Sequence, residues 1–350
     1  MPPSAADRLV KQSRLAVIRD SIGADALLLT SHEAVAWYLD GVRTHVSLAG
    51  PSVLAVVAAG DGDGDTIFVA DNEADRLSAE ELLPADAERL VRVPWQTPPA
   101  VAAAAARDAV PEADVAAALR AARAGLLPAE ADRYRALGRE TAAALTEVAT
   151  LLRPESTERD AAAALADLLV RRGIDPLVVL VAGTPRLGHR HPLPTDGPLG
   201  ERAMLVVCGR RHGLIANATR WVGAAGADDD RILEVEAAFL AATRPGARLD
   251  EAFATGCAAY AAAGFDADEW QRHHQGGPTG YAGRDPRATA DTSDGIVDQH
   301  AFAWNPSAPG AKVEDTVLIG ADGVEVLTVD PRWPTVTHAG LARSAARPFG

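Results

Sequence analysis

The order of the predicted helices and strands changes near residue 125, and this change constrains the fold more than any other feature. In the first 125 residues a helix at 5–22 is followed by short apolar strands and further helices, in the order α-β-α-β-β-α-β. Two of these strands, at 51–60 and 65–70, are separated by the predicted turn Asp61–Gly64. The pattern predicts an α/β domain with a mixed sheet over residues 1–125.

Residues 126–350 show a different pattern, in which long helices precede a series of strands. Of the two helices predicted first, at 126–152 and 155–173, the second has Thr157 and Asp160 as a capping pair and Gly173 at its carboxyl end. The remaining elements are strands at 177–183, 203–209 and 213–223, helices at 228–243 and 248–264, and strands at 301–306, 313–320 and 323–328. This half is predicted to be an α+β domain, with helices packed on a curved antiparallel sheet.

Charge and cysteine content narrow the functional classes. The formal net charge is −14, which disfavours binding to phosphate backbones or anionic lipid, so we expect neither a nucleic-acid nor a membrane partner. The chain has two cysteines, Cys208 and Cys257, too few for a disulfide framework and compatible with a reducing compartment. The amino terminus lacks the pattern of a signal peptide, and we expect a cytoplasmic protein.

Several polar segments in the second half contain residues that can carry out chemistry. His191 precedes Pro-Leu-Pro, which stiffens the chain and would hold the imidazole in place. His273 and His274 precede a glycine-rich loop whose backbone can approach a ligand closely. Glu314 lies on a predicted strand. Two histidine clusters and one carboxylate are a weak catalytic signal when taken alone.

The sequence resembles the creatinase/aminopeptidase P/prolidase family, whose second domain has the pita-bread fold. The resemblance rests on four segments in the family's order: LLLTSHEAVAWYLDG in the first half, then HPLPTD, ANATRWV and KVEDTVL. It implies a creatinase-like amino-terminal domain over 1–125 and a pita-bread catalytic-type domain over 126–350. It also implies that His191 corresponds to the family's first active-site histidine.

The metal ligands of the family are largely missing at the corresponding positions. Its metallopeptidases hold two metal ions with two aspartates, one histidine and two glutamates, and of the carboxylates only Glu314 remains. The other carboxylate positions are occupied by Val206 or Val207, Asn217 and Asn305, and the metal histidine corresponds to His274 or to Gly277. Because divalent ions need several anionic or imidazole ligands, we expect neither a bound metal nor another cofactor.

The resemblance to creatinase therefore indicates a metal-independent hydrolase or lyase that acts on a C–N bond of a small polar substrate. A neutral imidazole can take a proton from water and return it to a leaving nitrogen. We expect His191, Glu314 and His274 to be catalytic, with Glu314 orienting the substrate or the histidine. Two alternatives stay open: an Xaa-Pro-type metallopeptidase with an unusual site, and a non-catalytic peptide-binding module.

Further residues are candidates for substrate binding. They are His273, Asn217, Asn305, Arg284, Arg43, His45 and Trp304. For three of them a structural role is an open alternative: Arg284 can pair with Asp285, Trp304 can pack in the core, and His273 can be a loop residue. The resemblance implies a homodimer, in which the loop Arg43–Ser47 completes the partner's cleft.

Overall fold

The computed structural model describes residues 3–59 and 64–350 and divides the chain into two compact units. The first unit comprises Met1–Arg123 and Leu127–Arg133, and the second comprises Ala124–Leu126 and Tyr134–Gly350. Of the predicted turn Asp61–Gly64, only Gly64 lies within the described residues. None of the described helices is long and apolar enough to cross a membrane.

The first unit is built on a five-stranded mixed sheet. Its elements are α1 (Ala5–Ile22), β1 (Ala26–Leu29), α2 (His32–Tyr38), β2 (Leu54–Ala59), β3 (Thr66–Ala70), α3 (Asp71–Glu80), α4 (Pro84–Ala87), β4 (Leu90–Val93), α5 (Pro99–Ala106) and β5 (Val110–Pro111). The strand order is β4-β3-β2-β1-β5, with β3/β4 and β1/β5 parallel and the other pairs antiparallel. Aliphatic side chains of the central strands form a core with Phe68 and Ala103. The mixed sheet agrees with the prediction.

Helices precede the sheets of the second unit. Helix α6 (Ala116–Ala124) lies in the first unit except for Ala124, and the elements that follow are α7 (Pro128–Ala149), α8 (Glu158–Arg171), β6 (Asp175–Ala182), β7 (Arg202–Arg211), β8 (Leu214–Gly223), α9 (Asp229–Ala242) and α10 (Leu249–Ala262). The hydroxyl of Thr157 accepts a hydrogen bond from the amide of Asp160, as the capping pair predicts, and Gly173 has a positive φ beyond the end of α8.

The carboxyl-terminal elements are short strands. They are β9 (Gly276–Pro278), β10 (His300–Trp304), β11 (Ser307–Ala308), β12 (Ala311–Lys312), β13 (Val317–Gly320), β14 (Gly323–Val326), β15 (Thr335–His338) and β16 (Leu341–Ser344). Helices α9 and α10 pack with β10 and β13 in a core that includes Phe239, Phe302 and Trp304.

The strands predicted to form a curved sheet are divided between two larger antiparallel sheets, ordered β6-β7-β8 and β14-β13-β10-β9, and two smaller ones, β11-β12 and β15-β16. The amide of Ile215 donates to the carbonyl of Gly280 (2.8 Å), and the amide of Thr219 donates to that of Glu314 (2.9 Å), which joins β8 to the second group of strands. Glu314 was predicted on a strand but lies between β12 and β13. Its position beside β8 comes from this crossing contact.

Candidate active site

A solvent-accessible cavity of about 570 Å³ lies in the second unit, a size typical of small-molecule sites. Residues from several separate segments of the chain line it. Six of the predicted site residues are among them: His191, Asn217, His274, Arg284, Asn305 and Glu314. Lining residues that the sequence did not single out for this site include Val206, Cys208, Arg287 and Lys312. The cavity is therefore the candidate active site.

His191 lies on the segment between β6 and β7 and is held there by neighbouring residues. An ion pair between Arg190 and the buried Glu269 fixes this segment against the stretch that leads to His273. The Nε2 atom of His191 lies 3.0 Å from the Nε2 atom of His273, and the Nδ1 atom of His273 lies 2.9 Å from the hydroxyl of Ser307. These contacts form a hydrogen-bonded chain behind His191.

The protonation state of His273 determines which atoms donate and which accept in these hydrogen bonds. Burial, together with the Lys312 cation and the neighbouring imidazoles, lowers the pKa of His273 to about 2, so the ring stays neutral and carries one N–H. When His273 donates from Nδ1 to Ser307, its Nε2 accepts a hydrogen bond from His191. The Nδ1 atom of His191 is then unprotonated and able to accept a proton.

Both cavity histidines have a lowered affinity for protons. The His191 side chain is exposed at the edge of the cavity, but its partial desolvation there and the Lys312 cation lower its pKa below the usual value, and the Glu314 carboxylate offsets part of this shift. Burial, together with the nearby Arg284 and Arg287, lowers the pKa of His274 to about 4. At neutral pH both rings are neutral, which is the state that a general base requires.

Glu314 is surrounded by cations. Its Oε1 atom lies 2.6 Å from Nη2 of Arg284, and its Oε2 atom lies 3.1 Å from Nζ of Lys312 and from the hydroxyl of Thr219. Although burial acts to raise it, the pKa of Glu314 is lowered to about 2 by Lys312 and Arg284. The carboxylate is therefore ionised, and its hydrogen-bonding capacity is largely taken up within the protein.

Two asparagines face the cavity with unused acceptors. Asn217 and Asn305 are 0% and 1% exposed, and the Oδ1 atom of each has no hydrogen-bond partner among the described residues. The Nδ2 group of Asn217 donates to the hydroxyl of Thr279 (3.2 Å). A buried oxygen without a donor is unfavourable, so a donor from a ligand or from water in the cavity would stabilise these atoms.

Four predicted substrate-binding residues do not line the cavity. His273 contacts His191 from behind, because it is buried against Ser307. Trp304 is buried in the core, where it stacks on Phe239 and donates from Nε1 to Thr243, which is the core packing that the sequence left open as an alternative. Arg43 and His45 belong to the first unit, where Arg43 pairs with Glu81 and His45 packs against His32.

The sequence did not predict the surroundings of two cavity residues, Arg284 and Cys208. Arg284 pairs with Glu314 rather than with its sequence neighbour Asp285. Cys208 is only partly buried and lines the cavity, although burial raises the pKa of its thiol to about 12 and keeps it neutral. The cavity cations Lys312 and Arg287 were not predicted, although each lies next to a predicted site residue in the sequence. Lys312 is the first residue of the segment KVEDTVL, and Arg287 is the last residue of the run Arg-Asp-Pro-Arg that begins at Arg284.

Sequence and structure comparisons give the family. A sequence model of metallopeptidase family M24 matches residues 132–321, more than half of the chain. The chain belongs to this family. The predicted family and the predicted peptidase-like hydrolase class are thereby confirmed. A comparison with curated proteins finds no match.

Solved structures share the fold over nearly the whole chain. The dipeptidase PepE from Mycobacterium ulcerans is 19% identical with a TM-score of 0.74, and each chain is covered completely. The prolidase from Pyrococcus horikoshii is 16% identical with a TM-score of 0.70, over 92% of this chain and 99% of that one. The N-terminal domain of the FACT complex subunit SPT16 from chickpea is 12% identical with a TM-score of 0.62, over 92% and 97%. The predicted two-domain pita-bread fold is confirmed.

The donor atoms of the cavity do not fit the pair of metal ions that the family implies. Val206 faces the cavity and Val207 is buried, so neither alignment of the first aspartate position supplies a ligand. Asn217 and Asn305 are uncharged, Gly277 has no side chain, and Glu314 already pairs with two cations. Two divalent ions would bring four positive charges next to Arg284 and Lys312, with one carboxylate to balance them.

The three imidazoles of His191, His273 and His274 lie close enough for one ion, with ligand atoms within 4.8 Å of one another. However, the nitrogens of His191 and His273 that face each other are joined by a hydrogen bond, so neither is free to bind a metal in this arrangement. Lys312 and Arg287 place positive charge near the same rings. This group also fits a divalent ion poorly.

Proposed function

We propose that this M24 member is a metal-independent hydrolase that cleaves a C–N bond of a small polar substrate. The observation that carries the proposal is the series of hydrogen bonds from Ser307 through His273 to His191. His191 lies at the edge of a cavity that is also lined by cationic side chains. Partial desolvation and the Lys312 cation keep His191 neutral, and the hydrogen bond to His273 leaves its Nδ1 atom free. The cations supply the positive charge that metal ions supply elsewhere in the family.

In the proposed reaction His191 Nδ1 accepts a proton from water as the water oxygen attacks the carbonyl carbon. Lys312 and Arg284, held by Glu314, stabilise the negative charge that develops on the carbonyl oxygen. His191 then gives its proton to the leaving nitrogen, the C–N bond breaks, and a carboxylic acid and an amine are formed. Asn217 and Asn305 accept hydrogen bonds from the substrate, and His274 lies beside the reacting groups.

An assay of amine release with no metal added tests this proposal. The substrates would include secondary amides, creatine and an Xaa-Pro dipeptide. We expect turnover of a secondary amide. Activity confined to the Xaa-Pro dipeptide in the presence of added Mn²⁺ would favour the metallopeptidase alternative, and binding of peptides without turnover would favour the non-catalytic module.

The pH dependence of kcat/KM is a second test. Since His191 must be neutral to act as a base and its pKa is lowered from 6.5, activity should rise with pH along one limb whose midpoint lies below 6.5. Glu314 and His273, with pKa values of about 2, keep their charge states over most of this range, whereas His274, with a pKa of about 4, becomes charged at its acid end. The His191 limb is therefore the one that remains in a His274→Gln variant. A midpoint clearly above 6.5 would contradict the assignment of His191 as the base.

The homodimer, the cytoplasmic location, the lack of a nucleic-acid partner and the substrate roles of Arg43 and His45 stay predictions.

A further inference from the structure

The charge of the cavity lining differs from that of the chain. Three cationic side chains, Arg284, Arg287 and Lys312, line the cavity together with one carboxylate, Glu314. The chain as a whole has a net charge of −14. A local excess of positive charge in an acidic protein favours an anionic ligand.

Arg287 differs from the other two cations. Arg284 and Lys312 are paired with Glu314, whereas Arg287 is exposed at the cavity wall and has no ion pair within the described ranges 3–59 and 64–350. Its charge nevertheless contributes to lowering the pKa of His191 and of His274, which indicates that it lies near both rings. Arg287 is therefore placed to bind an anion next to the reacting bond, and guanidinium groups bind carboxylates in a bidentate manner.

The two cavity asparagines favour a ligand that supplies a hydrogen-bond donor. Asn217 and Asn305 line the cavity, and their buried Oδ1 atoms have no partner among the described residues. Each can accept an N–H from a ligand. A secondary amide carries such an N–H, and an amide of proline does not.

A free ammonium group would find no counter-charge in this cavity. Glu314 is the carboxylate among the lining residues, and its two oxygens already contact Arg284, Lys312 and Thr219. An ammonium would also lie near three cations, which costs electrostatic free energy.

We infer that the substrate is an N-acylated amino acid, whose carboxylate is bound by Arg287 and whose amide N–H donates a hydrogen bond to the Oδ1 atom of Asn217 or Asn305. This inference rests on the proposed function and adds its substrate class. Hydrolysis would add water across the amide: the C–N bond breaks, the acyl group leaves as a carboxylate, and the amino acid leaves with the proton that His191 returns.

Isothermal titration of the purified protein with four small probes tests the inference. N-acetyl-L-alanine has both the carboxylate and the amide N–H, N-acetyl-L-alaninamide lacks the carboxylate, N-acetyl-L-proline lacks the N–H, and L-alanyl-L-alanine adds an ammonium. We expect N-acetyl-L-alanine to bind about 10-fold or more tightly than each of the other three. Equal affinity for N-acetyl-L-alanine and its amide, or no binding of any probe, would overturn the inference.

Matched arginine variants locate the anion contact. Arg287→Gln should weaken N-acetyl-L-alanine binding by about 10- to 100-fold and leave N-acetyl-L-alaninamide binding unchanged. Arg244→Gln removes the same charge from an exposed position that is not part of the cavity lining, and should bind both probes like the wild type. Equal losses in the two variants would assign the effect to overall charge and overturn the role of Arg287.

The same samples separate this inference from the proposed function. Selective binding of N-acetyl-L-alanine without release of alanine would support the ligand class and contradict the hydrolase. Hydrolysis of amides with no preference for a carboxylate would support the hydrolase and contradict the ligand class.

Discussion

Replacement of His191 by asparagine is expected to lower turnover by roughly 10²- to 10⁴-fold, because the reaction would lose its general base and acid. His191→Ala should have the same effect. The melting temperature should change little, since the side chain is exposed and its described hydrogen bond is the one to His273.

The control for this prediction is a second histidine in the same loop. His189 is exposed and is not part of the cavity lining, so His189→Asn should leave turnover unchanged. Equal activity of the His191 and His189 variants would show that His191 is not the proton-transfer group. A large drop in the melting temperature of His191→Asn would indicate a structural role instead.

The largest effect on stability is expected from Asp40→Asn in the first unit. The Asp40 carboxylate is fully buried, accepts hydrogen bonds from Nη1 (3.0 Å) and Nη2 (2.7 Å) of Arg133, and pairs with Lys11, which also contacts Glu130 (2.6 Å). Although burial acts to raise it, the pKa of Asp40 is lowered by Arg133 and Lys11. Removing its charge takes away the carboxylate that both Lys11 and Arg133 contact, and breaking such a buried network costs about 3–5 kcal/mol.

Asparagine is the suitable replacement because Asp40 has a φ of 56°, a conformation that asparagine adopts more readily than most residues. The matched control is Asp75→Asn, which removes an exposed ion pair with Arg92 and should cost less than about 1 kcal/mol. Chemical denaturation of both variants measures the difference. Equal unfolding free energies for the two would show that the buried network does not stabilise the unit.

Local sequence signals predicted much of the fold. The capping pair Thr157 and Asp160 lies within one turn of helix, so its geometry depends on neighbouring residues alone. Helix α5 was missed because its sequence, PAVAAAAA, is almost entirely alanine and shows no alternation of polar and apolar faces. The division of the predicted sheet into separate sheets depends on contacts between strands that are far apart in the sequence, and no local sequence pattern encodes these contacts.

The candidate site was predictable as a set of residues but not as a set of contacts. The resemblance identified His191, Asn217, Asn305 and Glu314, which all line one cavity. It did not predict the hydrogen bond between His191 and His273, which are 82 residues apart, or the pairing of Arg284 with Glu314 across 30 residues. These contacts arise from the packing of separate segments, and they determine which nitrogen is free and which charge is neutralised.

The metal content of the active protein is the most direct test of the account. Because Arg284 and Lys312 occupy the carboxylate that a metal pair would need, we expect elemental analysis of protein purified without chelator to find far less than one transition-metal ion per chain. Hydrolytic activity should be unchanged after dialysis against a chelator. The account would be contradicted by about two tightly held Mn, Co or Zn ions per chain whose removal by a chelator abolishes activity and whose addition restores it. That result would support a metallopeptidase.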